Sequence, residues 1–216
     1  GVQVWDALSG SALAKIPSTG APVAGFDLST DGRYVVAEHQ GGAFRTWELP
    51  EGGEPRLVHE QVLEGVRSTA IVPGSFDLLL GSAKDGTISR WDIRTGRTHG
   101  EIATTLLHVS GLAVSPDASR VVAQGGTPSG KGLGVLQMLD IGTGRLLAEH
   151  EIRHIDPNAR ISNPVGAMSF HPDGKRIATA SADRTARLWD SATGRQLFTL
   201  EHAGRVEDVA FSPDGI

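Results

Sequence analysis

Tryptophan occurs four times in 216 residues and always in the same phrase: Trp5, Trp47, Trp91 and Trp189 are each followed by an acid, Asp6, Glu48, Asp92 and Asp190. Leu139-Asp140 fills the gap in this column, whose members are spaced by 42, 44, 48 and 50 residues. Five residues beyond each member stands a glycine: Gly10, Gly52, Gly96, Gly144 and Gly194. With 28 glycines in the chain, five matches from five would arise by chance roughly 4 times in 100,000, so the chain is built from a repeating unit.

A second column supports the same frame. Val23, Val66, Val109, Val165 and Val206 each open a six-residue run ending in a large apolar residue, and a turn rich in Ser, Pro, Asp and Gly follows each run. Apolar runs such as Val35-Val36-Ala37 and Leu78-Leu79-Leu80 lie between that turn and the Trp position. Runs of this length and composition, bounded by turn signals, are strands. Each unit therefore reads as four strands: a ends at the Pro-Asp-Gly turn, b is the apolar run, c ends at the Trp column and d follows its glycine. The second and fourth residues after the valine of strand a are mostly small, and the third and fifth mostly large, which suits innermost strands crowded around an axis. Strand b, apolar on both faces, suits a sheet held between two others.

A four-stranded unit of 40 to 50 residues closed by Trp-Asp resembles the WD-repeat (WD40) β-propeller family. Its best unit runs from Val165 through His171-Pro172-Asp173-Gly174, Ser181-Ala182-Asp183 and Arg187-Leu188-Trp189-Asp190 to His202. The resemblance implies an all-β fold of four complete blades, at about 23-65, 66-108, 109-164 and 165-205, with partial blades at 1-22 and 206-216. Counting strands gives 19, where a five-bladed ring needs 20, so the expectation is an arc belonging to a larger protein. The Pro-Asp-Gly and Thr-Gly-Arg phrases are similar to bacterial members, often attached to kinases or regulatory NTPases. The family buttresses blades with the Trp, an Asp six residues earlier, a Ser or Thr on strand b and a His before strand a. Asp85 and Asp183 fill the Asp position and His202 the His position, but no unit holds the whole set, so packing is expected to carry most of the stability.

Composition removes several function classes. The 20 basic and 25 acidic residues give a net charge of -5 with no basic block, which leaves no footprint for nucleic acid or anionic lipid. No apolar run approaches the ~18 to 20 residues of a membrane-spanning helix. The absence of cysteine removes disulfides and thiolate chemistry and fits a cytoplasmic location.

Two phrases imitate catalytic motifs. His150-Glu151-Ile152-Arg153-His154 matches the zinc-binding His-Glu-x-x-His, but the repeat register places His150 at the exposed end of a strand d. Residues four apart in extended chain are ~13 Å apart, too far to share a metal. Gly125 to Gly132 approaches a phosphate-binding loop, but offers Gly132 where Ser or Thr should hold magnesium, and a strand rather than a helix follows. Neither a metal nor a cofactor is expected, and Asp31, Asp117, Asp173 and Asp214 read as turn formers.

In such a meander the b-to-c and d-to-a connections share one face. The fourth unit's insertion (127-132) and its long connection (149-164) therefore lie together, and rigid scaffolds carry binding residues on such loops. Ser129, Lys131, Arg153, His154, Asp156, Asn158 and Arg160 are the expected contributors to a protein-binding patch, while Trp5, Asp6, Trp47, Asp85, Trp91, Asp92, Asp183, Trp189, Asp190 and His202 are structural. The resemblance implies a non-enzymatic protein-interaction scaffold or docking module. The alternatives are a propeller enzyme or small-molecule binder using the central channel, a regulatory region attached to a kinase or NTPase, and a purely structural role. The valines that open each strand a lend a channel site little support.

Overall fold

A computed structural model describes residues 2-6, 8-17, 22-39, 42-51, 53-126, 134-152 and 165-215. Apolar runs between turns pair with their sequence neighbours throughout. The first pair, β1 (Val2–Trp5) and β2 (Ala12–Ile16), forms a two-stranded ribbon. Four antiparallel meanders follow. Sheet 1 holds β3 (Val23–Leu28), β4 (Tyr34–His39), β5 (Ala43–Glu48) and β6 (Arg56–Val62). Sheet 2 holds β7 (Val66–Ile71), β8 (Asp77–Ser82), β9 (Ile88–Asp92) and β10 (Arg97–Ile102). Sheet 3 holds β11 (His108–Val114), β12 (Arg120–Gly126), β13 (Gly134–Asp140) and β14 (Leu146–Ile152). Sheet 4 holds β15 (Val165–Phe170), β16 (Arg176–Ser181), β17 (Thr185–Asp190) and β18 (Gln196–Glu201). These are strands a to d of four complete blades, with β1 and β2 as strands c and d of a partial one.

The last expected strand is corrected. Among the described residues there are 18 strands rather than 19, because residues 206-211 form none. Each other strand a that opens a sheet pairs with the strand b after it, and no strand b follows this segment among the described residues. It lies instead on sheet 4. The Val206 N–H donates to the Ser181 carbonyl at 3.0 Å, and the Phe211 ring meets His171 edge-on at 4.9 Å. Its Ser-Pro-Asp-Gly turn does form, closed by Gly215 N–H to Ser212 O at 2.9 Å.

The core consists of four apolar clusters, one in each seam between successive sheets. Ile16, Val35 and Trp47 join the ribbon to sheet 1. Val36, Phe44, Leu78, Leu80 and Trp91 join sheets 1 and 2. Leu79, Val109, Leu112, Val121 and Leu139 join sheets 2 and 3. Val122, Leu136, Val165, Phe170 and Trp189 join sheets 3 and 4. Successive residues of a strand point to opposite faces, so β4 sends Val35 one way and Val36 the other, and β8 sends Leu79 away from Leu78 and Leu80. That double use explains why strand b is apolar without alternation. β11 lies against both β7 and β15, so the first strands of successive sheets are neighbours.

Candidate functional site

The expected binding patch, Ser129, Lys131, Arg153, His154, Asp156, Asn158 and Arg160, falls outside the described residues. The stems of its two loops are described. Gly134 pairs with Gly126 on one side and with Ile152 on the other, so the connections that leave Gly126 and Ile152 start side by side at one edge of sheet 3.

The Trp-acid phrase builds the c-to-d turn. Asp6, Asp92, Asp140 and Asp190 each accept backbone N–H bonds on Oδ1 from residues two or three further on, as in Thr193 N–H to Asp190 at 2.8 Å. The glycine that follows donates its N–H to the aspartate carbonyl at 2.8–2.9 Å and takes φ of 65° to 70°, a left-handed conformation that costs other residues ~1–2 kcal/mol. This explains the glycine column. Two of these glycines also lie under a histidine of the preceding sheet. A Cβ on Gly194 would come within 1.9 Å of the His150 ring, and one on Gly96 within 2.9 Å of the His59 ring. His150 is therefore half-buried against its neighbour, not the exposed strand end expected of it, because its ring packs on the Gly194 turn of the next sheet. His150 and Glu151 lie in β14; His154 and residues 127-132 of the glycine-rich loop are outside the described residues. Among the described residues no three His, Asp or Glu side chains converge as a metal site.

The Trp environments differ. Trp189 Nε1 donates to Thr179 Oγ1 at 2.9 Å, whereas the buried Nε1 of Trp47 and of Trp91 finds no partner among the described residues. In the same register, Ala37 and Leu80 stand where sheet 4 has Thr179. Trp5, on the two-stranded ribbon, is 55% exposed. Asp85 and Asp183 cap b-to-c turns, accepting from the Thr87 and Thr185 N–H at 3.1 and 2.9 Å, and Asp183 also pairs with Arg187 at 3.0 Å. His202 is exposed. The turn aspartates behave as their type predicts: Ser115 and Ser119 hold the Asp117 carboxyl down to about 2, and the Lys175 N–H, followed by Arg176 and His171, does the same for Asp173.

A feature that the sequence reading passed over lies on the inner strands. A cleft of about 400 Å³ opens beside strands β3, β7, β11 and β15, at their a-to-b turn ends, lined by Asp27, Thr30, Thr69, Pro73, Leu112 and Met168 among others. Thr69 Oγ1 donates to Asp27 Oδ2 at 3.3 Å across the seam between sheets 1 and 2. Burial pushes the Asp27 carboxyl up to about 6 against the pull of that hydrogen bond. Asp27 is the fourth residue after its column valine, where the later units carry Ala70, Ala113, Ser169 and Ala210; that break in a column of small residues was the available signal. The cleft lies at the opposite strand ends from Gly126 and Ile152, the described stems of the expected patch.

Comparison with known proteins agrees with this repeat. The family described as WD domain, G-beta repeat matches residues 152–190, the stretch that ends in β15, β16 and β17. The serine-threonine kinase receptor-associated protein of Gallus gallus is 26% identical over 99% of this chain and 55% of its own length. The target of rapamycin complex subunit wat1 of Schizosaccharomyces pombe is 28% identical over 63% of this chain and 40% of its own. The U5 small nuclear ribonucleoprotein 40 kDa protein of Pongo abelii is 49% identical over 21% of this chain and 13% of its own. The chain thus spans about half the length, or less, of these curated relatives. The Trp-acid frame and the four-stranded sheets seamed by apolar clusters agree with these similarities, which point to repeats of the WD40 kind, the model for which matches residues 152–190.

Proposed function

We propose that the chain is a non-enzymatic protein-interaction scaffold, the docking or sensor region of a larger cytoplasmic protein, with units near 23-65, 66-108, 109-164 and 165-205 and partial units at either side. The observation that carries this reading is the stack itself: sheets 1, 2 and 3 each spend both faces on their neighbours, leaving the connections between their strands as the surface open to a partner. The names of three relatives agree, one being receptor-associated, one a subunit of a complex and one a ribonucleoprotein component. No helix among the described residues is long and apolar enough to cross a membrane.

Within this reading Ser129, Lys131, Arg153, His154, Asp156, Asn158 and Arg160 form the contact patch, two of whose loop stems meet at Gly134. The test is co-purification of the full-length protein with its partners, quantified for the wild type and for Lys131→Glu with Arg160→Glu. Loss of a partner from the double variant, with the unfolding midpoint unchanged, supports the patch. Full retention of every partner sinks it.

A further inference from the structure

The fold does not ask for a carboxylate at Asp27. In the two later seams between complete sheets, the corresponding pairs are apolar. Ala70 packs into the same cluster as Leu112, and Ala113 into the same cluster as Met168. Only between sheets 1 and 2 is the pair an acid and a hydroxyl, Asp27 and Thr69. Taking a carboxylate out of water is unfavourable unless an opposite charge or several hydrogen bonds replace the lost hydration. The hydrogen bond recorded for Asp27 among the described residues is the one from Thr69, at a long 3.3 Å, and burial accordingly raises its pKa. A group that breaks its column's rule, is held at a cost to the fold, and borders a cleft is a candidate for binding rather than structure.

We propose that this cleft binds a positively charged ammonium or guanidinium group, with the Asp27 carboxylate as its counter-ion. Thr69 fixes the carboxylate through Oδ2, leaving Oδ1 available to a cationic donor. Leu112 and Met168, on the cleft wall, suit the aliphatic stem that accompanies such a group in a lysine or arginine side chain. A cation there would form a charge-assisted hydrogen bond in a partly desolvated setting, where such bonds are about twice as strong as neutral ones. The same chemistry would serve a side chain of a protein partner or a free amine. The site is independent of the proposed loop patch, whose described stems, Gly126 and Ile152, stand at the opposite strand ends.

The two methionines of the chain make the test direct. Met168 borders the cleft, and Met138, buried in the seam between sheets 3 and 4, serves as an internal control. The protein is labelled with methyl-13C methionine and titrated with n-butylguanidinium, n-butylammonium, the neutral isostere n-butylurea, and capped tripeptides carrying a central Arg or Lys. The expected result is a saturable shift of the Met168 resonance with the cations, at least tenfold weaker for n-butylurea and for Asp27→Asn, with Met138 unmoved. Tighter binding of the tripeptides than of the free cations assigns the site to a partner's side chain, and the reverse order to a small amine; either supports a cation site. No Met168 shift with any cation, or an equal shift with n-butylurea or in Asp27→Asn, overturns it. An unmoved Met138 resonance in Asp27→Asn shows that the variant keeps its fold, so loss of binding there is a loss of charge.

Discussion

The seam between sheets 1 and 2 and the seam between sheets 3 and 4 use the same three places for different chemistry. On the inner strands the first has Asp27 and Thr69 where the second has Ala113 and Met168. At the tryptophan, the first leaves the buried Trp91 Nε1 without a partner among the described residues, with Leu80 in the place of Thr179, and the second bonds Trp189 Nε1 to Thr179. At the c-to-d turn, His59 caps Gly96 with its Nε2 donating to the Arg94 carbonyl, while His150 is pressed on Gly194 and its buried Nε2 finds no partner among the described residues. Polarity is placed near the axis in one seam and at the tryptophan in the other. The backbone frame is shared, so the repeat fixes where sheets meet but leaves open which radius carries the polar contact.

The largest break in this comparison is expected from the glycines. Gly194→Ala forces both a left-handed alanine and a clash with a half-buried ring, costing about 3 kcal/mol. Gly96→Ala carries the same backbone strain but a milder overlap, its Cβ 2.9 Å from the His59 ring against 1.9 Å from His150, so about 1–2 kcal/mol is expected, and urea midpoints of the two variants should differ in that order. Thr179→Val removes the acceptor of Trp189 while keeping its shape, leaving a buried donor unpaired as Trp91 already is; the expected loss is about 1–2 kcal/mol. Asp27→Asn makes the first seam neutral, as the third is, and has the smallest expected effect. The folded chain holds the Asp27 proton up to about pH 6, whereas an unfolded carboxyl loses it near ~3.9, so ionisation weakens folding as pH rises through that window. A difference of that size would amount to ~3 kcal/mol in full, but the half-buried carboxyl keeps part of its hydration, so the variant should gain about 1 kcal/mol at pH 7, shrinking to nothing by about pH 4, in denaturation measured across that range. A constant difference at all pH values would count against burial of the charge.

Most of the fold was legible because its signals are local and repeated. The Trp-acid phrase and its glycine mark a turn whose hydrogen bonds lie within five residues, from Asp190 to Gly194, and strand b is apolar because it faces two seams at once. What the repeat could not supply was anything set by neighbours outside the unit. The segment from Val206 has the strand-a pattern yet forms no strand, since pairing requires a second chain segment that its own residues cannot announce. His150 reads as a polar strand end until the next sheet's Gly194 is placed beneath it. Asp27 is an ordinary acid in sequence; only the adjacency of β3 and β7 brings Thr69 to it and half-buries it. Of the binding patch the described residues hold only the stems, while the cleft on the other face became visible through packing alone.

The c-to-d turns also set where this scaffold accepts new sequence. From Asp to Gly each described copy keeps the same four-residue step and the same hydrogen bonds, and in sheets 2 and 4 the glycine lies directly beneath the previous sheet's histidine. On the opposite face the b-to-c connections run from three to seven residues, and those from d to a run from three to twelve. A guest peptide spliced between Asp92 and Gly96 would pry two sheets apart. The same peptide grafted between Ser181 and Thr185 would project from a face where length already varies, so display libraries belong on that side.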